Sequence, residues 1–109
     1  CKPCIKEFPY ENELVEKYKD EPVEIVNICI DSEIKKWKAY LKKYNLKTIN
    51  LYANGNWNNK LQKDFGIQAI PHSILIDWNG KVVQNKCRRA SENIGELIAQ
   101  LLKEKADLR

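Results

Sequence analysis

Two cysteines stand three positions apart at the start of the chain, in the stretch CKPCIKEFPYEN. A thiol reacts as its thiolate, so a reactive cysteine needs surroundings that hold its pKa below about 8.5. The free N–H groups in the first turn of a helix supply positive potential at that point. A Cys-X-X-Cys spacing puts the first sulfur at the helix start and the second one turn inward, within disulfide reach. The spacing therefore predicts a redox dithiol in which Cys1 is the nucleophile and Cys4 the resolving thiol.

Three further residues near the dithiol are candidates to tune its reactivity. Lys2 adds a positive charge that favours the Cys1 thiolate, and Pro3 stiffens the loop between the cysteines. Glu7 follows Cys4 by three positions and so shares its helical face. A carboxylate there can accept the proton of a buried thiol, and its negative charge disfavours a nearby thiolate. The alternative for Glu7 is a surface glutamate paired with a neighbouring lysine.

Zinc binding is the competing chemistry for a pair of close cysteines. A structural zinc site needs four ligands, and the other candidates are Cys29, Cys87 and His72, which form no second close pair. The sequence therefore predicts no metal site, and it implies no organic cofactor. Cys29 is expected to be a small buried hydrophobic residue. His72 is expected at a strand edge and satisfied by solvent, with contact to a substrate groove as the alternative.

A β-hairpin is predicted by the turn sequence DWNG between the apolar runs SILI and KVV. Folding the chain about this turn pairs Ile76 with Lys81 and brings Lys86 opposite Pro71. This register puts Cys87 at the rim of the predicted active site. Two interpretations of Cys87 stay open: an inert thiol, or a third thiol that traps glutathione or a substrate.

The first half of the chain is predicted to form a helix, a strand, a second helix and a short strand. The first helix runs from Cys1 to about Tyr18, and Pro9 is expected to kink it. The run VEIVNICID is apolar on both faces, which is typical of a buried parallel strand. Ser32 is predicted to cap the second helix, and TINLYA to form the short strand.

The second half is predicted to form a loop, a short helix, the hairpin and a last helix. NGNWNN is the loop, after which Asn58 or Asn59 caps a short helix that Gly66 ends. Ser91 is predicted to cap the last helix, which is amphipathic. Its apolar stripe consists of Ile94, Leu97, Ile98, Leu101 and Leu102.

This order predicts an α/β fold, a mixed central sheet flanked by helices on both faces, in a single domain over residues 1–109. A strand that would lead into the first helix is missing ahead of Cys1, so the domain is expected to be N-terminally truncated.

The composition is that of a soluble globular domain, with 43% hydrophobic and 31% charged residues and a net charge of +4. The charges are interleaved, and the densest basic stretch is predicted to be a solvated helix face rather than a nucleic-acid surface. No apolar run approaches the length of a membrane span. The lysines of the basic stretch are Lys35, Lys36, Lys38, Lys42, Lys43 and Lys47.

The dithiol, the Ile70-Pro71 pair ahead of a strand and the order of the elements together resemble the thioredoxin superfamily. Within it, the stretches CKPCIKEFPYENELVEKY, GIQAIPHSILID and NGKVV look like the TlpA/ResA branch of thiol-disulfide oxidoreductases. The resemblance covers nearly the whole chain and implies a thioredoxin-like fold. In that strand order two strands separate Cys29 from the last strand, a distance of about 14 Å, so the resemblance implies no disulfide between Cys29 and Cys87. The residues that match the branch motif C-x-P-C-x-x-E-F-P are Cys1, Pro3, Cys4, Glu7, Phe8 and Pro9.

The resemblance also implies roles for single residues. In the superfamily a cis proline faces the dithiol, and this proline and the residue before it present backbone to the substrate and keep metals off the thiols. Pro71 and Ile70 take those positions here. The branch uses the glutamate that matches Glu7 to tune the dithiol. The expected substrate-binding residues are therefore Lys2, Pro3, Ile70 and Pro71.

The resemblance implies thiol-disulfide exchange with client proteins and a second protein as redox partner. It also implies a periplasmic or other extracytoplasmic location, with a membrane anchor upstream of this chain. One alternative is a thiol peroxidase of the same superfamily, although the usual Pro-x-x-x-Thr-x-x-Cys context is absent here. The other alternative is a non-catalytic module that binds proteins in the groove around Pro71.

Overall fold

The helices and strands follow the predicted order along the chain. The computed structural model describes residues 1–53 and 59–108, so the loop predicted at NGNWNN lies almost entirely outside the described residues. The helices are α1 (Lys2–Lys17), α2 (Ile34–Lys43), α3 (Lys60–Phe65) and α4 (Gly95–Asp107). The strands are β1 (Val26–Cys29), β2 (Ile49–Tyr52), β3 (Ser73–Ile76) and β4 (Val82–Cys87), and a 3-10 turn covers Ala90–Glu92.

The strands pair as two separate two-stranded sheets within the described part of the chain. β1 and β2 are parallel, with Val26 beside Ile49, and β3 and β4 are antiparallel. A groove of about 800 Å³ is lined by both β1 and β3. The predicted mixed sheet is therefore present as two halves, the parallel β1–β2 sheet and the antiparallel β3–β4 sheet. Among the described residues, no strand lies between β1 and β3 to pair with both of them.

The β3–β4 hairpin has a different register from the predicted one. Ile76 pairs with Val82 instead of Lys81, and Ser73 pairs with Cys87 at the far end of the ladder. Two register shifts lie between these pairs. Each bulge adds one residue to a strand, so the offset from the predicted pairing grows along the hairpin. The prediction that Lys86 lies opposite Pro71 is wrong for the same reason.

Local signals place both ends of α3 as predicted. The Asn59 side chain accepts a hydrogen bond from the Gln62 N–H at 3.0 Å, and the Gln62 side chain accepts one from the Asn59 N–H at 3.1 Å. This reciprocal pair is a capping box. Gly66 ends the helix with a φ of 62°, a left-handed conformation that glycine adopts without steric cost.

The predictions of Ser32 and Ser91 as helix caps are wrong. Glu33 is the N-cap residue of α2 and Ile94 that of α4, and neither caps with its side chain. Ser32 lies one residue too early and donates to Asp31 at 3.2 Å. Ser91 lies in the 3-10 turn ahead of α4, where its side chain is committed to a contact with α1. The additional turn delays the start of the last helix.

The buried core lies where the end of α1 meets α4. Tyr18, Ile94 and Ile98 are each less than a tenth exposed and form one cluster. The predicted apolar stripe of the last helix therefore does face the interior. Half-buried residues packed against the cluster are Leu14, Val23, Leu75, Cys87, Ala90, Leu97 and Leu102.

One face of the parallel sheet is open to solvent. Val26 and Ile28 of β1 are 45% and 44% exposed, and their partners Ile49 and Leu51 are 45% and 49% exposed. The prediction that β1 is buried on both faces is therefore wrong in this structure. Val26 and Ile28 also line the groove, so they lack packing partners on that side.

The basic stretch forms a solvated face, as predicted. All of its lysines are exposed, along α2 and just beyond it. Among the residues that the structure describes, no helix combines the length and the apolar character needed to cross a bilayer.

Candidate active site

Cys1 is the N-cap residue of α1 and is exposed. Its sulfur accepts a hydrogen bond from the backbone N–H of Cys4 at 3.2 Å. A disulfide joins the two cysteines, whose Cα atoms are 5.3 Å apart. Cys4 is half-buried, whereas Lys2 and Pro3 are exposed. The start of the helix thus directs an N–H donor at the more exposed sulfur, where it would stabilise a thiolate after reduction.

The loop ahead of β3 brings Ile70 and Pro71 to the dithiol. The Cys1 sulfur lies 4.0 Å from the carbonyl oxygen of Ile70, although the two residues are 69 positions apart in the sequence. The peptide bond between Ile70 and Pro71 is cis. Both residues are half-buried and line the same groove as Cys1 and Cys4. The fold therefore brings the two sequence motifs together in one groove.

Glu7 is buried, and its carboxylate is held by a residue near the other end of the chain. Glu7 is 5% exposed. The Ser91 N–H donates to its Oε1 at 3.0 Å, and the Ser91 hydroxyl donates to its Oε2 at 2.6 Å. Since the residue is buried and bound by serine, the alternative of a surface glutamate paired with a lysine is wrong. Glu7 lines the groove one helical turn after Cys4.

Glu11, which no sequence motif indicated, extends this acidic face by one more turn of α1. Asn27 donates to Glu11 Oε1 at 2.5 Å and to Thr48 Oγ1 at 3.1 Å. Burial raises the pKa of the Glu11 carboxyl above its ordinary value, the Asn27 hydrogen bond lowers it, and the charge of Glu7 raises it. The available signal was the four-residue spacing from Glu7 on one helix face.

His72 is satisfied by β4 and not by solvent, which corrects the expectation for this residue. Its Nε2 lies 2.6 Å from the side-chain oxygen of Asn85. The Asn85 amide group also donates to the carbonyl of Phe65 at 2.9 Å, at the end of α3. Asn85 therefore links His72 both to β4 and to the end of α3. His72 lines the groove next to Pro71.

Cys29 and Cys87 are free thiols, and both are half-buried. Cys29 is thus less buried than expected, and its sulfur lies 3.9 Å from Asp31 Oδ1. Cys87 donates to the carbonyl of Arg88 at 3.4 Å and packs against the core cluster that includes Tyr18. Burial raises the pKa of the Cys87 thiol. Although Cys87 lines the groove, these surroundings favour the inert interpretation over a third reactive thiol.

Across residues 1–53 and 59–108, the structure contains no group of three or more histidine, cysteine, aspartate or glutamate side chains placed to hold a metal ion. Cys1 and Cys4 are bonded to each other, and His72 is bound to Asn85. The Cys1–Cys4 pair offers the chemistry of a dithiol and its disulfide.

The element order, with a Cys-X-X-Cys helix start beside the loop before β3, defines a thioredoxin-like protein. The crystal structure of a protein assigned as a thiol-disulfide oxidoreductase from Bacteroides vulgatus matches with a TM-score of 0.82 at 28% identity, covering 93% of this chain and 70% of that one. The thioredoxin domain of a thiol-disulfide oxidoreductase from the same organism matches with a TM-score of 0.79 at 22% identity, covering 93% and 71%. These likenesses confirm the predicted fold class.

The Redoxin family model matches residues 1–100. The thiol-disulfide oxidoreductase ResA of Bacillus thuringiensis subsp. konkukian is 37% identical over 102 residues, which is 93% of this chain and 57% of that protein. ResA of Geobacillus thermodenitrificans is 30% identical over 82 residues, 75% of this chain and 45% of that protein. The chain belongs to the Redoxin family and is a TlpA/ResA-like member of the thioredoxin superfamily. It spans about half the length of these relatives.

Proposed function

We propose that this protein is a thiol-disulfide oxidoreductase that exchanges its Cys1–Cys4 dithiol or disulfide with the cysteines of other proteins. The observation that carries the proposal is the Cys1–Cys4 disulfide at the start of α1, with the exposed Cys1 sulfur beside the Ile70 carbonyl. The names of the ResA relatives give the same class of reaction for those proteins.

In the reductive direction, the Cys1 thiolate attacks one sulfur of a client disulfide. The Cys1–client bond forms, the client S–S bond breaks, and the other client sulfur leaves as a thiolate that takes up a proton. Cys4 then loses its proton and attacks the Cys1 sulfur. The internal disulfide forms and the second client sulfur leaves as a thiolate. Two electrons pass from the dithiol to the client, and the oxidative direction reverses these steps.

Ile70 and Pro71 are the proposed client-binding residues, together with the exposed Lys2 and Pro3. A client segment that lies across the dithiol would meet the Ile70 carbonyl next to the Cys1 sulfur. That carbonyl can accept a backbone N–H from an extended chain and so hold the client sulfur in line for attack. The Lys2 ammonium adds positive charge near the Cys1 thiolate.

Glu7 is the proposed proton acceptor for Cys4. It lies one turn along the same helix and lines the same groove. A carboxylate in that position can take the Cys4 proton while Cys4 attacks the mixed disulfide. We expect Glu7→Gln to slow this second step by about 100-fold, since general-base catalysis commonly contributes that much. A resolution rate equal to that of the unsubstituted protein would remove Glu7 from the mechanism.

Trapping of the mixed disulfide tests the proposed function. Cys4→Ser keeps the attacking thiol and removes the resolving one, so incubation with insulin should accumulate an adduct between Cys1 and an insulin chain, visible by mass spectrometry. Cys1→Ser is the matched control and should form no adduct. Both variants should reduce insulin at least about 100-fold more slowly than the unsubstituted protein. If Cys4→Ser forms no adduct, the assignment of the two thiols is wrong.

Two assays separate the alternatives. A thiol peroxidase would consume hydrogen peroxide with dithiothreitol as reductant, whereas the proposed oxidoreductase should not exceed the uncatalysed rate. A non-catalytic binding module would retain client proteins as the Cys1→Ser/Cys4→Ser double variant and would leave insulin unreduced in its native form.

The proposed partners are client proteins with accessible cysteines and a second protein that resets the dithiol. The proposed location is periplasmic or otherwise extracytoplasmic, with an anchor upstream, and this rests on the resemblance to the TlpA/ResA branch. Fractionation of the expressing cell tests the location. Recovery of the protein with cytoplasmic markers alone would refute it.

We also propose that a further strand, leading into Cys1, occupies the groove between β1 and β3. The support is the shape of the two half-sheets: both inner strands line one groove, and apolar side chains such as Val26 and Ile28 stay exposed beside it. A strand there would pair with both edges and join the halves into one mixed sheet.

A further inference from the structure

Among residues 1–53 and 59–108, one residue supplies the polar contacts of the buried Glu7 carboxylate. Ser91 donates two hydrogen bonds to it, one from the backbone N–H and one from the hydroxyl. No ion pair within the described residues includes Glu7. A buried carboxylate is costly unless donors satisfy it, and Ser91 supplies one donor to each oxygen.

Ser91 is not in place to start a helix. The N-cap residue of α4 is Ile94, and Ser91 lies in the preceding 3-10 turn. This turn is held by other contacts: the Arg89 N–H donates to the Glu92 carboxylate at 2.9 Å, and Arg88 pairs with Glu96 at 2.8 Å. The hydroxyl of Ser91 therefore does not cap a helix and instead donates a hydrogen bond to Glu7, 84 positions earlier in the chain.

We propose that Ser91 is a positioning residue for Glu7, and that it determines which carboxylate oxygen receives the proton of Cys4. The proposal rests on the proposed function, in which Glu7 accepts that proton. The Ser91 N–H can only donate, so Oε1 must remain an acceptor throughout. A hydroxyl can donate or accept, so Oε2 can take up a proton while the Ser91 hydroxyl turns from donor to acceptor.

The proton balance follows from these two contacts. The Cys4 thiol gives its proton to Oε2 of Glu7, and Cys4 becomes a thiolate that attacks the Cys1 sulfur of the mixed disulfide. The client sulfur leaves as a thiolate, and the protonated Glu7 later returns the proton to solvent. Without the hydroxyl, Oε2 loses the donor that holds it in place and the partner that can turn to accept the new O–H, so the transfer of the Cys4 proton slows.

The test isolates the second step of a model reaction in the full-length protein with Cys29→Ala and Cys87→Ala. The reduced protein reacts with 5,5′-dithiobis(2-nitrobenzoate): Cys1 releases one equivalent of thionitrobenzoate, and the attack of Cys4 releases the second. The two releases are followed against pH. Ser91→Val and Ser91→Thr are the matched pair, because the valine and threonine side chains have the same shape and only threonine has a hydroxyl.

We expect Ser91→Val to slow the second release by about tenfold, with the first release unchanged. Ser91→Thr should keep the profile of the unsubstituted protein. In Glu7→Gln, adding Ser91→Val should cause no further change. Two outcomes overturn the proposal. In one, Ser91→Val and Ser91→Thr change the rate of the second release equally, which is a structural effect. In the other, Ser91→Val leaves that rate unchanged. Failure of the unsubstituted protein to release the second equivalent would instead refute the proposed function.

Discussion

At the scale of single residues, two of the sulfurs lie in opposite surroundings. Cys1 is exposed and receives the Cys4 N–H at 3.2 Å, whereas Cys87 is half-buried and packs against the core cluster. A donor stabilises a thiolate, and burial disfavours it. The raised pKa of the Cys87 thiol follows from that burial. Position in the fold thus separates a sulfur suited to exchange from one that is protected.

Alkylation of Cys87 tests this difference. In the oxidised protein near neutral pH, we expect iodoacetamide to modify Cys87 at least about tenfold more slowly than in urea-unfolded protein, because burial limits both access and the thiolate form. The rate should still rise at alkaline pH, where an unfolded cysteine has already reached its plateau. Peptide mass spectrometry measures both rates. Equal rates in the folded and unfolded chains would contradict the protected environment.

Glu11 should make stability depend on pH. Its pKa is raised in the folded protein, chiefly by burial, so folding favours the protonated form. That contribution is complete below the unfolded pKa and is lost as the pH rises through the raised folded value. We therefore expect Glu11→Gln, which cannot ionise, to become more stable than the unsubstituted protein between about pH 4 and pH 7. Urea midpoints across this range measure the difference.

Glu13→Gln is the matched control for Glu11, since Glu13 is exposed on the same helix. Its stability curve should run parallel to that of the unsubstituted protein. If the curve for Glu11→Gln also ran parallel to that of the unsubstituted protein, Glu11 would make no contribution to the pH dependence of stability.

At the scale of elements, the start of α3 depends on the Asn59–Gln62 capping box. We expect Asn59→Ala to lower the free energy of unfolding by about 1 kcal/mol, the usual cost of losing an N-cap side chain. Asn59→Asp keeps the accepting oxygen and is the control. Both variants lose the Asn59 donation to the Ala53 carbonyl, so their difference isolates the cap. Chemical denaturation measures both, and equal losses would contradict a role for the cap.

The elements that were predicted correctly are those whose partners are close in the sequence. Asn59 and Gly66 act within one helical turn, so turn chemistry alone located both ends of α3. Ser91 has the same chemistry as a helix cap, but its partner Glu7 is 84 positions away, and no local pattern reveals such a contact. The hairpin turn was predicted for local reasons, whereas its bulges depend on packing and shifted the register of Cys87.

At the scale of the whole molecule, the dominant feature is the groove that separates the two half-sheets. Apolar runs predicted the strands, and the crossover helix and the hairpin turn predicted that one pair is parallel and the other antiparallel. The sequence of β1 did not predict its exposed face. An apolar strand sequence indicates that its side chains favour burial, but it does not indicate which neighbouring elements cover them. The contact between Ile70 and Cys1 was likewise expected from the family resemblance and not from spacing.

A strand in this groove should protect specific amides. The Ile25 carbonyl accepts from the Ile49 N–H of β2, and the Cys29 carbonyl accepts from the Ala53 N–H just after β2. The Ile28 amide between them therefore points away from β2 and toward the open edge. We expect the Ile28 amide to exchange at least about tenfold more slowly in a protein extended ahead of Cys1 than in residues 1–109 alone. The extended protein should also unfold at higher urea concentration. Unchanged exchange and an unchanged midpoint would refute the strand.

The N-cap contact of α1 has a consequence for observing the chemistry. The Cys1 sulfur that accepts the Cys4 N–H is the same atom that would exchange covalent partners during turnover. The electron density on that sulfur differs between a thiolate, a mixed disulfide and an internal disulfide, and the strength of the hydrogen bond differs with it. The backbone resonance of Cys4 should therefore act as a label-free reporter of each redox species, readable by NMR in real time.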